Sequence, residues 1–182
     1  MKTLLFFSSI LFFQISVFSQ KLELIAFADK HENTLTSTSY ENVKNHRSNY
    51  DKGVYIVKQQ DSKEEVPIAS VWGFKDEKND IYKIDKWYGK LKLEVGNKEN
   101  LSIYSQKKWE YYILLLLPTS KDYFFTTNAH MKPKSISKEN IIAYVFNGDE
   151  SKYEEYKKNN SVSDNLEILK RIITTIDETG KN

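Results

Sequence analysis

Leu91, Leu93 and Val95 alternate with Lys90, Lys92 and Glu94, a period of two that gives a strand one apolar face and one charged face. Leu101 and Ile103 repeat the alternation after Gly96-Asn97, so the two segments predict a hairpin. A second hairpin is predicted from residues 66–74 and 80–85, which flank the polar stretch 75–79. Asp and Asn suit its tip, because their side chains bond nearby backbone and they tolerate left-handed φ. Residues 22–28 and the β-branched and aromatic run Val54-Tyr55-Ile56-Val57, preceded by Gly53, predict two further strands. Residues 111–117 contain no polar position between the charge of Glu110 and Pro118. They predict a central strand, wet on neither face, that Pro118 ends. Residues 123–127 predict one more short strand.

Helical periodicity takes over after about Pro133. Ser137 is positioned to cap a helix carrying Ile141, Ile142, Val145 and Phe146, which Gly148 terminates, and 149–159 predicts a polar helical turn. Asp164 with Glu167 three residues on opens the last helix, where Leu166, Leu169, Ile172, Ile173 and Ile176 form one stripe and Gly180 closes it. Earlier, Thr38 and Glu41 match a capping box and predict a short helix through Asn45. Together these elements predict an α+β fold: a curled antiparallel sheet of about six strands with a C-terminal amphipathic helix packed on it. No linker or repeat divides residues 20–182, so one domain is expected, β-rich over 50–130 and helical over 137–180.

The first nineteen residues follow a different pattern. Lys2 precedes an apolar run over 4–18, interrupted only by Ser8, Ser9, Gln14 and Ser16, and Val17 and Ser19 fit the −3 and −1 positions of a cleavage site. Residues 1–19 therefore predict a signal peptide, cut after Ser19 or Gln20, and an exported protein of the periplasm or the extracellular space. The run is shorter than the roughly 20 residues that cross a bilayer, and no transmembrane segment is expected in the mature chain. The sequence has no cysteine. That excludes an acylated cysteine anchor, disulfides, thiolate metal centres and a cysteine nucleophile. The formal net charge of +2 falls to +1 without Lys2, which speaks against a nucleic-acid partner.

Candidate chemistry is sparse. His31, His46 and His130 never fall at the i, i+4 spacing of a helical metal pair, and no Gly-x-Ser-x-Gly elbow occurs. Asp76, Glu77, Asp80, Asp85 and Glu94 lie on neighbouring strands and turns, where solvated carboxylates are expected, and residues 76–80 lack a calcium-loop pattern. No catalytic residue, metal or cofactor is assigned. The aromatic set Trp72, Trp87, Tyr88, Trp109, Tyr111 and Tyr112 offers flat rings suited to stacking on a ligand or anchoring a partner. Trp87, Tyr88 and Trp109 are the expected ligand-binding residues, with Trp87-Tyr88 foremost because Lys86 and Lys90 flank them and Gly89 follows.

The segment Val71-Trp72-Gly73-Phe74, its polar turn and Asp80-Ile81-Tyr82-Lys83, together with Gly53-Val54-Tyr55 and a later helix, resembles a family of small exported bacterial β-rich proteins of unknown function. The resemblance implies export and a β-rich fold, and brings no activity or site residue. The expected function is an exported, non-catalytic binding or accessory protein with a protein or carbohydrate partner in the cell envelope. A small periplasmic hydrolase, and an inhibitor or immunity protein acting on a toxin or enzyme, are the alternatives.

Overall fold

A computed structural model describes residues 20–29, 34–112 and 115–179, and the side chains of these residues outside 108–120. The predicted signal peptide, His31 and the closing Gly180 lie outside the described residues. The fold is α+β. Among the described residues, eleven strands and three helices follow in the order β1 (Gln20–Phe27), β2 (Leu35–Val43), β3 (Asn45–Asn49), β4 (Val54–Lys58), β5 (Lys63–Pro67), β6 (Val71–Lys75), β7 (Ile81–Asp85), β8 (Gly89–Gly96), β9 (Ser102–Tyr112), β10 (Leu115–Thr126), β11 (Lys134–Ser135), α1 (Lys138–Tyr144), α2 (Glu150–Asn160) and α3 (Asn165–Thr179).

Eight strands form one sheet in the order β11-β10-β9-β8-β7-β6-β1-β2, and β3-β4-β5 form a second. Every pairing is antiparallel. The large sheet is an open one with more than the six strands expected, and β1 covers the strand predicted at 22–28.

Alternation along the strands feeds three cores. Ile25, Trp72, Leu91, Tyr104 and Phe124, from β1, β6, β8, β9 and β10, meet in one cluster, so the sheet curls around them. Residues on the opposite face of the same strands, Leu22, Leu24 and Phe74, pack with Tyr55 and Val57 of the small sheet. Ile103 and Phe125 pack with Ile141, Tyr153 and the α3 residues Ile168, Leu169 and Ile173. The curl brings the start of β2 to the β8–β9 turn, where the Leu35 backbone N–H donates to Glu99 Oε1 at 3.2 Å.

The helices start where the sequence predicts. Ser137 accepts from the Asn140 backbone N–H at 3.2 Å, Asp149 from Lys152 at 3.0 Å and Asp164 from Glu167 at 2.9 Å, each satisfying an otherwise orphan donor. Along α3, Ile168, Leu169 and Ile173 are buried. Each contributes roughly 1.5–3 kcal/mol by burial. Ile176 at the end of the stripe is exposed.

Several expectations need correction. The capping-box helix at 38–45 is instead the end of β2 and the start of β3, because Thr, Ser and Tyr pair with β1 from Leu22↔Tyr40 to Phe27↔Leu35. A bulge with Asn42 at φ 56° then turns the strand, and the Tyr40 hydroxyl donates to Glu64 of β5 at 2.9 Å. The expected strand 66–74 is two strands of different sheets, β5 and β6, separated by a turn over Ile68–Ser70. Pro67 ends the first of them.

The apolar run 111–117 is not a central strand. It is shared between the end of β9 and the start of β10, with Tyr112↔Leu115 and Tyr111↔Leu116 paired across a hairpin. Pro118 does not end a strand either. The register shifts between Pro118 and Ser120, and that bulge accommodates the missing N–H while β10 runs on through the expected short strand 123–127 to Thr126.

Candidate functional site

Trp87 sits on the β7–β8 turn. The turn is held by one carboxylate: Asp85 Oδ1 accepts from the backbone N–H of Trp87 at 2.8 Å and of Tyr88 at 3.0 Å. Gly89 follows with φ 72°, a conformation that favours glycine. Trp87 is 76 % exposed, and Lys86 Nζ lies 5.7 Å from its ring centroid. Tyr88 behaves differently. Its ring packs against Phe124 at 4.5 Å between centroids, and its carbonyl accepts from Gln106 Nε2, so it belongs to the wall of the core around Trp72. The side chain of Trp109 lies outside the described residues, and its backbone is in β9 opposite Pro118. Trp72 is buried against Tyr104, with the Lys83 ammonium 5.0 Å from its ring and donating to the Ala129 carbonyl at 2.6 Å. Burial pulls the Lys83 pKa down to about 8.

The carboxylates serve turns and ion pairs. Asp76 Oδ1 accepts from the backbone N–H groups of Lys78 and Asp80, both at 2.9 Å, which builds the β6–β7 turn. Asp80 pairs with Lys92 at 2.7 Å. Glu94 pairs with Lys121 at 2.9 Å and accepts from the Ser105 hydroxyl, which together hold its carboxyl below the usual range against the opposing effect of burial. Among the described residues, no three His, Cys, Asp or Glu side chains are grouped to hold a metal ion. His130 is exposed and stacks on Phe27, ring centroids 4.1 Å apart.

Several of these groups converge on a cleft of about 740 Å³ that opens between the small sheet and the β7–β10 stretch of the large one. Its apolar floor is Leu22, Val43, Phe74 and Tyr82. Around the floor stand six lysines, Lys21, Lys78, Lys90, Lys92, Lys107 and Lys121, against three carboxylates, Asp76, Glu77 and Asp80. The strand period explains the convergence. Lys92↔Ser105 and Lys121↔Lys107 are register partners, so lysines from β8, β9 and β10 share one face. Lys21, Lys92 and Lys121 are in ion pairs, whereas Lys78, Lys90 and Lys107 have no ion-pair partner among the described residues. Lys90 extends over the Phe74 ring, 5.1 Å from its centroid.

His46 closes the cleft from β3. Its Nδ1 hydrogen-bonds the Tyr55 hydroxyl and its ring meets the edge of Phe74 at 4.6 Å. Burial, reinforced by the positive charge of Lys90 and opposed by Asp76, lowers its pKa to about 4, so the imidazole is neutral at pH 7. A neutral wall, a largely buried apolar floor and a rim on which six lysines outnumber three carboxylates give the cleft a positive character. Alternating lysines at 90 and 92 carry part of this signal in the sequence, but their β8 spacing equally describes a plain solvated face. The contributions of His46, Lys107 and Lys121 arise from pairings between distant segments.

No protein-family model, curated protein or solved structure matches this chain.

Proposed function

We propose that this chain is an exported, non-catalytic binding protein whose cleft holds an acidic peptide segment of a protein partner in the cell envelope. The observation that carries this reading is the cleft rim, where Lys78, Lys90 and Lys107 have no ion-pair partner among the described residues, above a floor that includes Phe74 and Tyr82. Cationic groups around the half-buried ring of Tyr82 favour a ligand that presents carboxylates along one side and an apolar side chain on the other. A peptide offers both within a few residues. Salt screening makes such recognition strongest at low ionic strength. Blocking of a toxin or enzyme by an inhibitor would use the same surface, with the acidic segment belonging to the blocked protein.

The test is a fluorescence-anisotropy titration with labelled hexaglutamate carrying one internal tryptophan. The double variant Lys90→Glu/Lys107→Glu is expected to weaken binding by about tenfold or more, a change of about 1.4 kcal/mol. The remote double reversal Lys158→Glu/Lys170→Glu changes net charge equally and is expected to weaken it less than about threefold. Equal losses in both variants, or no binding by the unaltered chain at low salt, would overturn the proposal.

A further inference from the structure

Among the described residues the large sheet ends on β11 and β2, and the small sheet on β3 and β5. Three of these edges are blunted in ways that discourage a further strand. β11 is two residues long, β3 carries Arg47 at its centre, and β5 holds Lys63, Glu64 and Glu65 before Pro67. β2 is different. From Leu35 to Tyr40 it contains no charge, proline or glycine, and Thr36, Ser37, Thr38 and Ser39 are all exposed.

The pairing with β1 sets the direction of the backbone groups along this edge. The Ala28 N–H donates to the Thr34 carbonyl at 3.0 Å, one step beyond Phe27↔Leu35, so the hydrogen-bonded pairs recur at every second position, Ala26↔Thr36, Leu24↔Thr38 and Leu22↔Tyr40. Leu35, Ser37 and Ser39 therefore turn their N–H and C=O groups away from β1. The Leu35 N–H follows this rule and donates to Glu99. At the other end Gln59 Nε2 donates to the Glu41 carbonyl at 2.8 Å, just before the bulge at Asn42. Both ends of the edge are thus tied off. Between them, the outward N–H and C=O groups of Ser37 and Ser39 have no hydrogen-bond partner among the described residues.

We infer that β2 pairs with the β2 of a second copy of this chain, antiparallel about a twofold axis at Thr38. Only outward-facing residues can exchange hydrogen bonds across the new pair, so Ser37 lies opposite the partner's Ser39, and Ser39 opposite the partner's Ser37. That register satisfies the N–H and C=O of both serines on both copies at once. Thr38 meets its own counterpart at the non-hydrogen-bonded position between them, and opposed threonines favour strand pairing. Charge does not oppose the contact. No residue from 36 to 40 is charged, and Glu23, the register partner of Ser39 on β1, is paired with Lys75 at 3.4 Å. Exposed hydroxyls at 36–39 offer a foreign strand neither a charge nor an apolar pocket by which to be selected, whereas a twofold copy brings the complementary pattern with it.

The absence of native cysteine permits a direct test of this register. Residues opposed at a non-hydrogen-bonded position stand about 4.5 Å apart between Cα atoms, within the range that a disulfide bridges. Thr38→Cys in the full chain is therefore expected to give a disulfide-linked dimer under mild oxidation. Thr36→Cys, which the same register sets about 13 Å from its counterpart along the strand, should cross-link about tenfold more slowly or less. In sedimentation equilibrium from about 10 μM to about 1 mM, the range that suits a contact this small, the unaltered chain should dimerise reversibly. Thr38→Lys sets two ammonium groups on the axis and should weaken association by about tenfold or more, with hexaglutamate affinity kept, which separates this contact from the cleft. Ser151→Lys adds the same charge at an exposed position of α2 and should change association by less than about twofold. A chain that stays monomeric at the highest concentration overturns the inference. So do equal cross-linking at 36 and 38, and association that Thr38→Lys leaves unchanged or that both lysine variants weaken equally.

Discussion

Trp72 and Trp87 show how little a residue type says about its role. Both are tryptophans in β-rich sequence, yet Trp72 is 1 % exposed and Trp87 is 76 % exposed. Trp72→Ala is expected to cost about 3–5 kcal/mol through lost burial and the cavity left between Tyr104 and Lys83. Trp87→Ala is expected to stay within about 0.5 kcal/mol of the unaltered chain, because its ring covers little and its turn is held by the backbone N–H groups that donate to Asp85. Chemical denaturation in urea distinguishes these outcomes, and a large loss at Trp87 would contradict the description of that turn.

His46 gives a prediction in pH. Its folded pKa of about 4 lies below the 6.5 of a free imidazole, so between those values the unfolded chain binds more protons than the folded one. Stability contributed by the neutral ring is complete above pH 6.5 and is lost as the pH falls toward 4. Urea midpoints measured from pH 7 to pH 4.5 should therefore fall more steeply for the unaltered chain than for His46→Phe, and parallel slopes would count against the burial.

At the scale of elements, β6 and β7 meet so closely at Gly73 that the pairing depends on a missing side chain. A Cβ there would stand 2.0 Å from the Tyr82 carbonyl oxygen, which belongs to the backbone and has no rotamer to escape into. Gly73→Ala is expected to destabilise the protein by about 3 kcal/mol or more, read from the shift in its thermal midpoint, and a neutral result would contradict this register. Elements with a strong local signal were legible in the sequence. The alternation of β8, the turn at 75–79 and the caps Ser137 and Asp164 each state their structure within a few residues. Elements decided by distant partners were not. The capping box at Thr38 lost to seven register pairs with β1, and the apolar run 111–117 could not reveal that its two ends belong to different strands paired with each other.

For the whole molecule, register across one curled sheet assembles the cleft. The face with Lys92, Lys107 and Lys121 opens into the cleft beside the small sheet. Of the three aromatic residues singled out in the sequence, Trp87 is exposed, Tyr88 packs in the core wall and Trp109 places its backbone in β9. The cleft itself was illegible, because six lysines scattered from position 21 to position 121 acquire a common direction only through strand register. Backbone amide chemical-shift mapping during titration with the tryptophan-containing hexaglutamate at low salt tests its function most directly. Perturbations concentrated at the β6–β7 turn, at 90–92 and at 105–107 are the predicted result, whereas perturbations confined to the helices or spread evenly over surface lysines would contradict it.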